Sequence, residues 1–296
     1  MKNKKITAVI YAVSAAVLYA INTPLSKILL QYVPSIFMAS FLYLGTGIGV
    51  GIMYAFRRKN EKKEDRLSKE DLPCTLAMIA LDIGAPIFLM LGIKLGNASN
   101  ASLLNNFEIV ATTVIALLIF KERVSSKLWI AIVFITAASI LLSFDGEDGL
   151  KFSYGSLFVL LATLCWGLEN NFTRRLSSKS ACQIVSLNGI CSGSGAFIIA
   201  LLAGEKLPAL PYILFSLLLG FGAFGLSIFT YIKAQRTLGA AKTSAYYAIA
   251  PFVGTFLSFV ILGDSLTRMY LIALIVMIIG TVFVVADTLK SDTAAD

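Results

Sequence analysis

Ten apolar runs follow one another along the chain, at roughly 6–30, 34–56, 73–95, 100–120, 126–144, 154–176, 181–204, 211–235, 243–263 and 267–289. A bilayer core about 30 Å thick takes about 20 helical residues to cross. Inside it every backbone polar group must be bonded internally, so only helices and closed barrels span it. Barrel strands are about 10 residues long and alternate in polarity; these runs are longer and do not alternate. The sequence therefore predicts an all-α integral membrane protein with ten transmembrane helices. Composition agrees: 57% of the 296 residues are hydrophobic and 14% are charged, against about 45–50% and 25% in soluble domains. The first run follows Met-Lys-Asn-Lys-Lys, as a secretory signal would. It outlasts the roughly 7–15 residues of a signal's apolar region and carries Asn22, Thr23, Pro24 and Lys27, so it is expected to be retained as the first helix.

The net charge is +8, but Lys and Arg sit in short segments between apolar runs. That is the pattern of membrane-protein loops rather than of a nucleic-acid surface. Of the 25 Lys and Arg, twenty fall on one side of a ten-span chain and five (Lys27, Lys94, Lys151, Lys206 and Arg268) on the other. The positive-inside rule then puts both termini in the cytoplasm of a multi-pass plasma-membrane protein. The chain contains no histidine, which excludes Ser-His-Asp chemistry and imidazole metal sites. Cys74, Cys165, Cys182 and Cys191 form no C-x-x-C pair, so no thiolate metal site is expected. No cofactor motif is present, and the chain is not read as an enzyme.

Two segments resemble each other: LGNASNASLLNNFEIVATTVIALLIFKE (Leu95 to Glu122) and LGAAKTSAYYAIAPFVGTFLSFVILGD (Leu238 to Asp264). With one gap, Glu108 matches Ala250, Ile109 matches Pro251 and Glu122 matches Asp264. A weaker pair sets Tyr19 to Lys27 against Trp166 to Arg174, with Asn22 opposite Glu169. Small residues also recur, at Gly45, Gly47, Gly49 and Gly51 and again at Gly189, Ser192, Gly193 and Gly195. The chain thus divides into residues 1–145 and 150–290, two copies of a five-helix unit. Because five is odd, the second copy enters from the opposite face. The expected architecture is a pair of inverted five-helix repeats, frequent among secondary transporters.

These stretches, together with Trp166-Gly167-Leu168-Glu169-Asn170-Asn171, resemble the EamA family of the drug/metabolite transporter superfamily over nearly the whole chain. The family pattern often has a Glu-Pro pair in helices 4 and 9; here Glu108-Ile109 and Ala250-Pro251 divide it between the halves. The resemblance implies a cavity surrounded by helices 1–4 and 6–9, with helices 5 and 10 outside. It also implies transport of small organic solutes, often export.

Polar groups inside the spans are the candidate machinery, because a charge at a helix centre costs about 2.5–3.5 kcal/mol on insertion scales. Glu108 shares a helical face with Asn105 and Thr112. It is expected to face a wet cavity, the alternative being a packing role. Trp166, Glu169 and Asn170 would form a wall suited to an organic cation, unless Glu169 pairs with a neighbour such as Arg174. Tyr246 and Tyr247 present flat rings with one hydroxyl each; as belt aromatics they would be structural. Asn22 completes the proposed substrate-binding set. Gln183 and Asn188 are weaker candidates. Glu108, Glu169 and Asp82 are the candidates for proton coupling, although Asp82 beside Gly84 and Pro86 also suits a structural role in a kinked helix.

The expected function is a secondary active exporter or exchanger of small organic metabolites working by alternating access. The alternatives are an intramembrane enzyme acting on a lipid-linked substrate, and a channel or sensor. The expected partners are the solute and the lipid bilayer, with a homodimer compatible and nucleic acid not.

Overall fold

The computed structural model describes residues 2–57, 65–119, 121, 124–145, 151–176, 178–238, 240–264 and 267–293. Glu122, Gly146 and residues 58–64 lie outside these. The chain is almost wholly helical. The first apolar run folds as α1 (Lys2–Ala20) and α2 (Asn22–Leu29), the second as α3 (Ser35–Arg57) and the third as α4 (Leu72–Leu95). The fourth is split into α5 (Ala98–Leu104) and α6 (Phe107–Leu118), and the fifth is α7 (Ser126–Leu142). The second half runs through α8 (Tyr154–Thr173) and α9 (Ala181–Leu202). It continues with α10 (Leu210–Gly220) and α11 (Ser227–Leu238), joined by a π-helical stretch at Phe221–Leu226. Then come α12 (Ala240–Tyr247), α13 (Ala250–Leu262) and α14 (Arg268–Thr293). Among the described residues the only ladder is the short antiparallel pair β1 (Phe144–Asp145) and β2 (Lys151–Phe152), at the join between the halves.

Among the described residues, eight helical segments are long and apolar enough to cross a membrane. The two other runs are α7, which is shorter at 17 residues, and α8, whose last turns carry Glu169, Asn170 and Asn171. Large side chains such as Phe56, Leu118 and Leu202 stay exposed, as a lipid-facing surface requires.

Packing crosses between the halves. Helix α3 lies on α9, α4 on α8, α1 on α11, and α7 on α14. The α3–α9 crossing explains the small-residue clusters. A β-carbon on Gly189 would stand 2.6 Å from the Cα of Gly47 and 2.8 Å from the Tyr43 carbonyl oxygen. Only glycine lets the two backbones come this close.

Three outlying polar groups finish helix ends. Glu205 accepts from the Ile36 and Phe37 amides, at 3.1 and 2.9 Å, at the start of α3. Asp264 accepts from the Ser99 amide at 3.1 Å, at the start of α5. Lys27 donates to the Ile93, Lys94 and Gly96 carbonyls at the end of α4. These are the orphan amides and carbonyls that every helix terminus leaves.

Pro86 lies inside α4, which runs through it as one helix. The breaks fall elsewhere: between α1 and α2, between α5 and α6, and between α12 and α13. At the second break the Asn106 side chain donates to the Leu103 carbonyl, and the Glu108 amide reaches back to the Asn105 carbonyl. The Asn106 side chain thus supplies a partner for a backbone carbonyl that the interrupted helix frees.

Candidate functional site

The break after α5 sets the position of the first acid. Glu108 falls in the first turn of α6, where the dipole of a helix start favours a negative side chain. On the neighbouring helix, Gly167 allows α8 to touch α6. A β-carbon there would meet the Ala111 side chain at 2.5 Å and the Thr112 amide nitrogen at 2.8 Å. This contact brings Asn170 within reach, so that its Nδ2 donates to Glu108 Oε1 at 2.7 Å and to Thr112 Oγ1 at 3.3 Å. Asn171 donates to the Thr112 and Gly167 carbonyls and fastens the same crossing.

Immediately before Gly167, Trp166 turns its ring across the cavity toward α4. Its Nε1 donates to Asp82 Oδ1 at 3.1 Å. The Tyr43 hydroxyl donates to the same oxygen at 3.2 Å, and Asn188 Nδ2 donates to Oδ2 at 2.5 Å. Asn188 is held in turn by Ser192, whose single hydroxyl hydrogen is shared between Asn188 Oδ1 at 2.9 Å and the Ile79 carbonyl at 3.1 Å. Asp82 is thus gripped by donors from α3, α8 and α9. Glu169, also buried, accepts from the Thr173 hydroxyl one turn along α8.

The three carboxylates line a single cavity of about 240 Å³. Its aromatic walls are Tyr19, Tyr43, Trp166 and Phe224, and Tyr19 stands edge-on to Phe224 with ring centres 5.6 Å apart. Met78, Ile184, Val185 and Ile228 make the aliphatic part, while Thr46, Thr173 and Asn188 add neutral polar groups. No Lys or Arg is among the described lining residues. The π-helical stretch carries Phe224 to the wall; such bulges are often found at functional sites. The Thr46 hydroxyl donates to the Gly220 carbonyl at 2.9 Å, just before the stretch. A larger groove of about 430 Å³ is lined wholly by apolar groups, among them Leu25, Ile28, Phe215 and Leu218.

Of the residues picked from the sequence, Asp82, Glu108, Trp166, Glu169 and the weaker candidate Asn188 line the cavity. Asn170 stands behind Glu108 as its donor. Asn105 does not line it: the turn between α5 and α6 takes it off the α6 face, and its buried Oδ1 has no partner among the described residues. Asn22 is buried and accepts from Ser26 at 3.1 Å. Tyr247 lies a layer back, its ring 5.8 Å from that of Tyr19 and its hydroxyl 3.4 Å from that of Ser227. Tyr246 is exposed. Gln183 accepts from the Leu67 amide and ties a loop to α9. Tyr19, Tyr43, Thr173 and Phe224 were not singled out from the sequence. Of these only Thr173 had a signal, its i+4 spacing from Glu169; the others reach the cavity through packing between distant helices.

An acid-lined, aromatic-walled cavity among apolar helices is the build of a multi-pass membrane transporter. The chain belongs to the EamA-like transporter family, whose model matches residues 6–144 and again 153–286. It is 26% identical to an uncharacterized transporter of Methanothermobacter thermautotrophicus, over 94% of this chain and 85% of the relative. It is 22% identical to the uncharacterized transporter YyaM of Bacillus subtilis, over 74% of each chain. It is 25% identical to the uncharacterized inner membrane transporter YedA of Escherichia coli, over 60% of each. One crystal structure of a protein superposes with a TM-score of 0.67 at 18% identity, over 94% of this chain and 95% of the other. That likeness concerns the fold alone.

Proposed function

We propose that the protein is a secondary active transporter that exports or exchanges small organic metabolites by alternating access, with the solute held in the acid-lined cavity. The observation that carries this reading is the convergence of Asp82, Glu108 and Glu169 on one cavity walled by aromatic rings. Acids inside a membrane protein are costly to keep and mark solute or proton pathways. We assign proton coupling to these three side chains.

The reading includes ten spans in two inverted five-helix repeats, with both termini in the cytoplasm of the plasma membrane. Packing supports the repeat. A two-fold relation between the halves matches α3 on α9 with itself, and α7 on α14 with itself. It also matches α4 on α8 with α11 on α1, and α6 on α8 with α13 on α1; each of these contacts is made. The fourth and ninth spans are both broken, after Leu104 and after Tyr247, at positions that the sequence alignment of the repeats brings together. Discontinuous helices at the repeat interface are a frequent feature of transporter sites. The twenty-to-five distribution of Lys and Arg supports the orientation.

The test is counterflow in proteoliposomes made with the purified protein. Saturable exchange of a chemically unaltered solute is expected. Chemical conversion of the solute, or movement that does not saturate, overturns the reading in favour of an enzyme or a pore.

A further inference from the structure

Resting on the reading of this cavity as the solute site, we propose that its solute is a small protonated amine. Its ammonium group would sit between Glu108 and Glu169 and its apolar body against the Tyr19 and Phe224 rings.

The argument starts from hydrogen-bond capacity. A carboxylate offers about four acceptor positions. Asp82 already receives three donors, from Tyr43, Trp166 and Asn188, which leaves it little to offer a solute. Glu108 receives one side-chain donor, Asn170, and Glu169 receives one, Thr173. The unused acceptor capacity of the cavity is therefore concentrated on these two residues. The described lining supplies no cation to meet it, and a buried anion without a counter-charge is costly. An incoming N–H-bearing cation meets both needs at once. The negative faces of the aromatic walls favour a cation further.

The same features argue against other charge classes. An anion would enter a space with three acids and no basic lining group. A neutral solute would leave the two glutamates, in their ionised form, without a counter-charge. Size also restricts the solute. The cavity of about 240 Å³ is below the roughly 300–1,000 Å³ of sites for drug-sized ligands.

The experiment uses the full chain in detergent and four probes of one skeleton: phenethylamine, its trimethylammonium analogue, phenethyl alcohol and hydrocinnamate. Binding is read from thermal stabilisation, since a ligand selective for the folded state raises the melting temperature by mass action. Phenethylamine is expected to bind at least tenfold more tightly than the alcohol. The quaternary analogue, lacking N–H donors, should fall between them, and hydrocinnamate should not bind. Glu108→Gln and Glu169→Gln should each weaken phenethylamine about tenfold and leave the alcohol unchanged. Equal binding of amine and alcohol, preference for the anion, or no binding by any probe overturns the proposal. These comparisons on the unmodified protein stand even if a variant fails to fold. Proteoliposomes separate the two readings. Amine that binds but is not exchanged across the membrane refutes transport and leaves the ligand class standing. Exchange of the alcohol at the same rate as the amine refutes the class and leaves transport standing.

Discussion

Replacing Asp82 tests whether the donor clamp around it organises the cavity. In Asp82→Ala, the Tyr43 hydroxyl, Trp166 Nε1 and Asn188 Nδ2 all lose their acceptor. A hydrogen bond to a charged group contributes about 1.5–3 kcal/mol. The full loss is not expected, because Trp166 Nε1 keeps a 3.4 Å approach to the Tyr43 hydroxyl and water can enter a cavity of this size. Removal of a desolvated charge also offsets part of the cost. We expect a destabilisation of about 3 kcal/mol, or about 6 °C in melting temperature at roughly 2 °C per kcal/mol for a chain of this length. Asp82→Asn should behave differently. The introduced Oδ1 can still accept from Tyr43 and Trp166, while an amide group replaces Oδ2. The Asn188 amide then turns over so that its oxygen accepts from the introduced amide, and Ser192 accepts from Asn188 while still donating to the Ile79 carbonyl. One bond to a charge becomes a neutral one, a loss of about 1 kcal/mol. The assay is thermal unfolding in detergent followed by Trp166 emission in a Trp129→Phe background. A red shift of native-state emission should accompany Asp82→Ala alone. If Asp82→Asn is as damaging as Asp82→Ala, the relay through Asn188 and Ser192 is refuted. If neither variant lowers the melting temperature, so is the clamp.

Gly189→Val drives a branched side chain into the Gly47 backbone; it should cost at least the roughly 1–3 kcal/mol typical of overpacking, read as a lower melting temperature, and an unchanged value would show that the α3–α9 crossing is looser than described. In a cysteine-free background, Lys69→Cys should react with an impermeant maleimide only from the cytoplasm and Lys206→Cys only from outside; labelling of both from one side sinks the ten-span orientation. If Glu108 carries the exchanged proton, Glu108→Gln should flatten the pH profile of solute exchange. Asp82 and Glu169 share the cavity, so Asp82→Asn and Glu169→Gln are measured alongside, and a flat profile in Glu169→Gln alone moves the proton step to that residue.

Much of the architecture was legible along the chain because a bilayer imposes its own arithmetic. A span must be apolar and about 20 residues long, so the runs declare themselves locally, and the end of each helix falls near a polar or charged segment. The same local logic exposed Asp82, Glu108 and Glu169, since an acid inside an apolar run is costly wherever it lies. The breaks were less legible. Pro86 lies inside α4 without interrupting it, while the fourth span opens at Asn105 and Asn106, where the Asn106 side chain donates to the Leu103 carbonyl. That break takes Asn105 out of register with Glu108, so an uninterrupted helical wheel puts the two on one face when the fold does not.

What only the tertiary structure decided is which groups meet. Trp166 belongs by sequence with Glu169, three residues on, yet its Nε1 goes to Asp82 on another helix, together with Tyr43 and Asn188 from two more. Glu108 is paired with Asn170 only because Gly167 lets α8 touch α6. The physical reason is one of range. Hydrophobicity and insertion cost act on each residue alone and can be summed along the sequence. A hydrogen bond requires two groups within about 3 Å, and that separation is set by helix crossings among residues far apart in the chain.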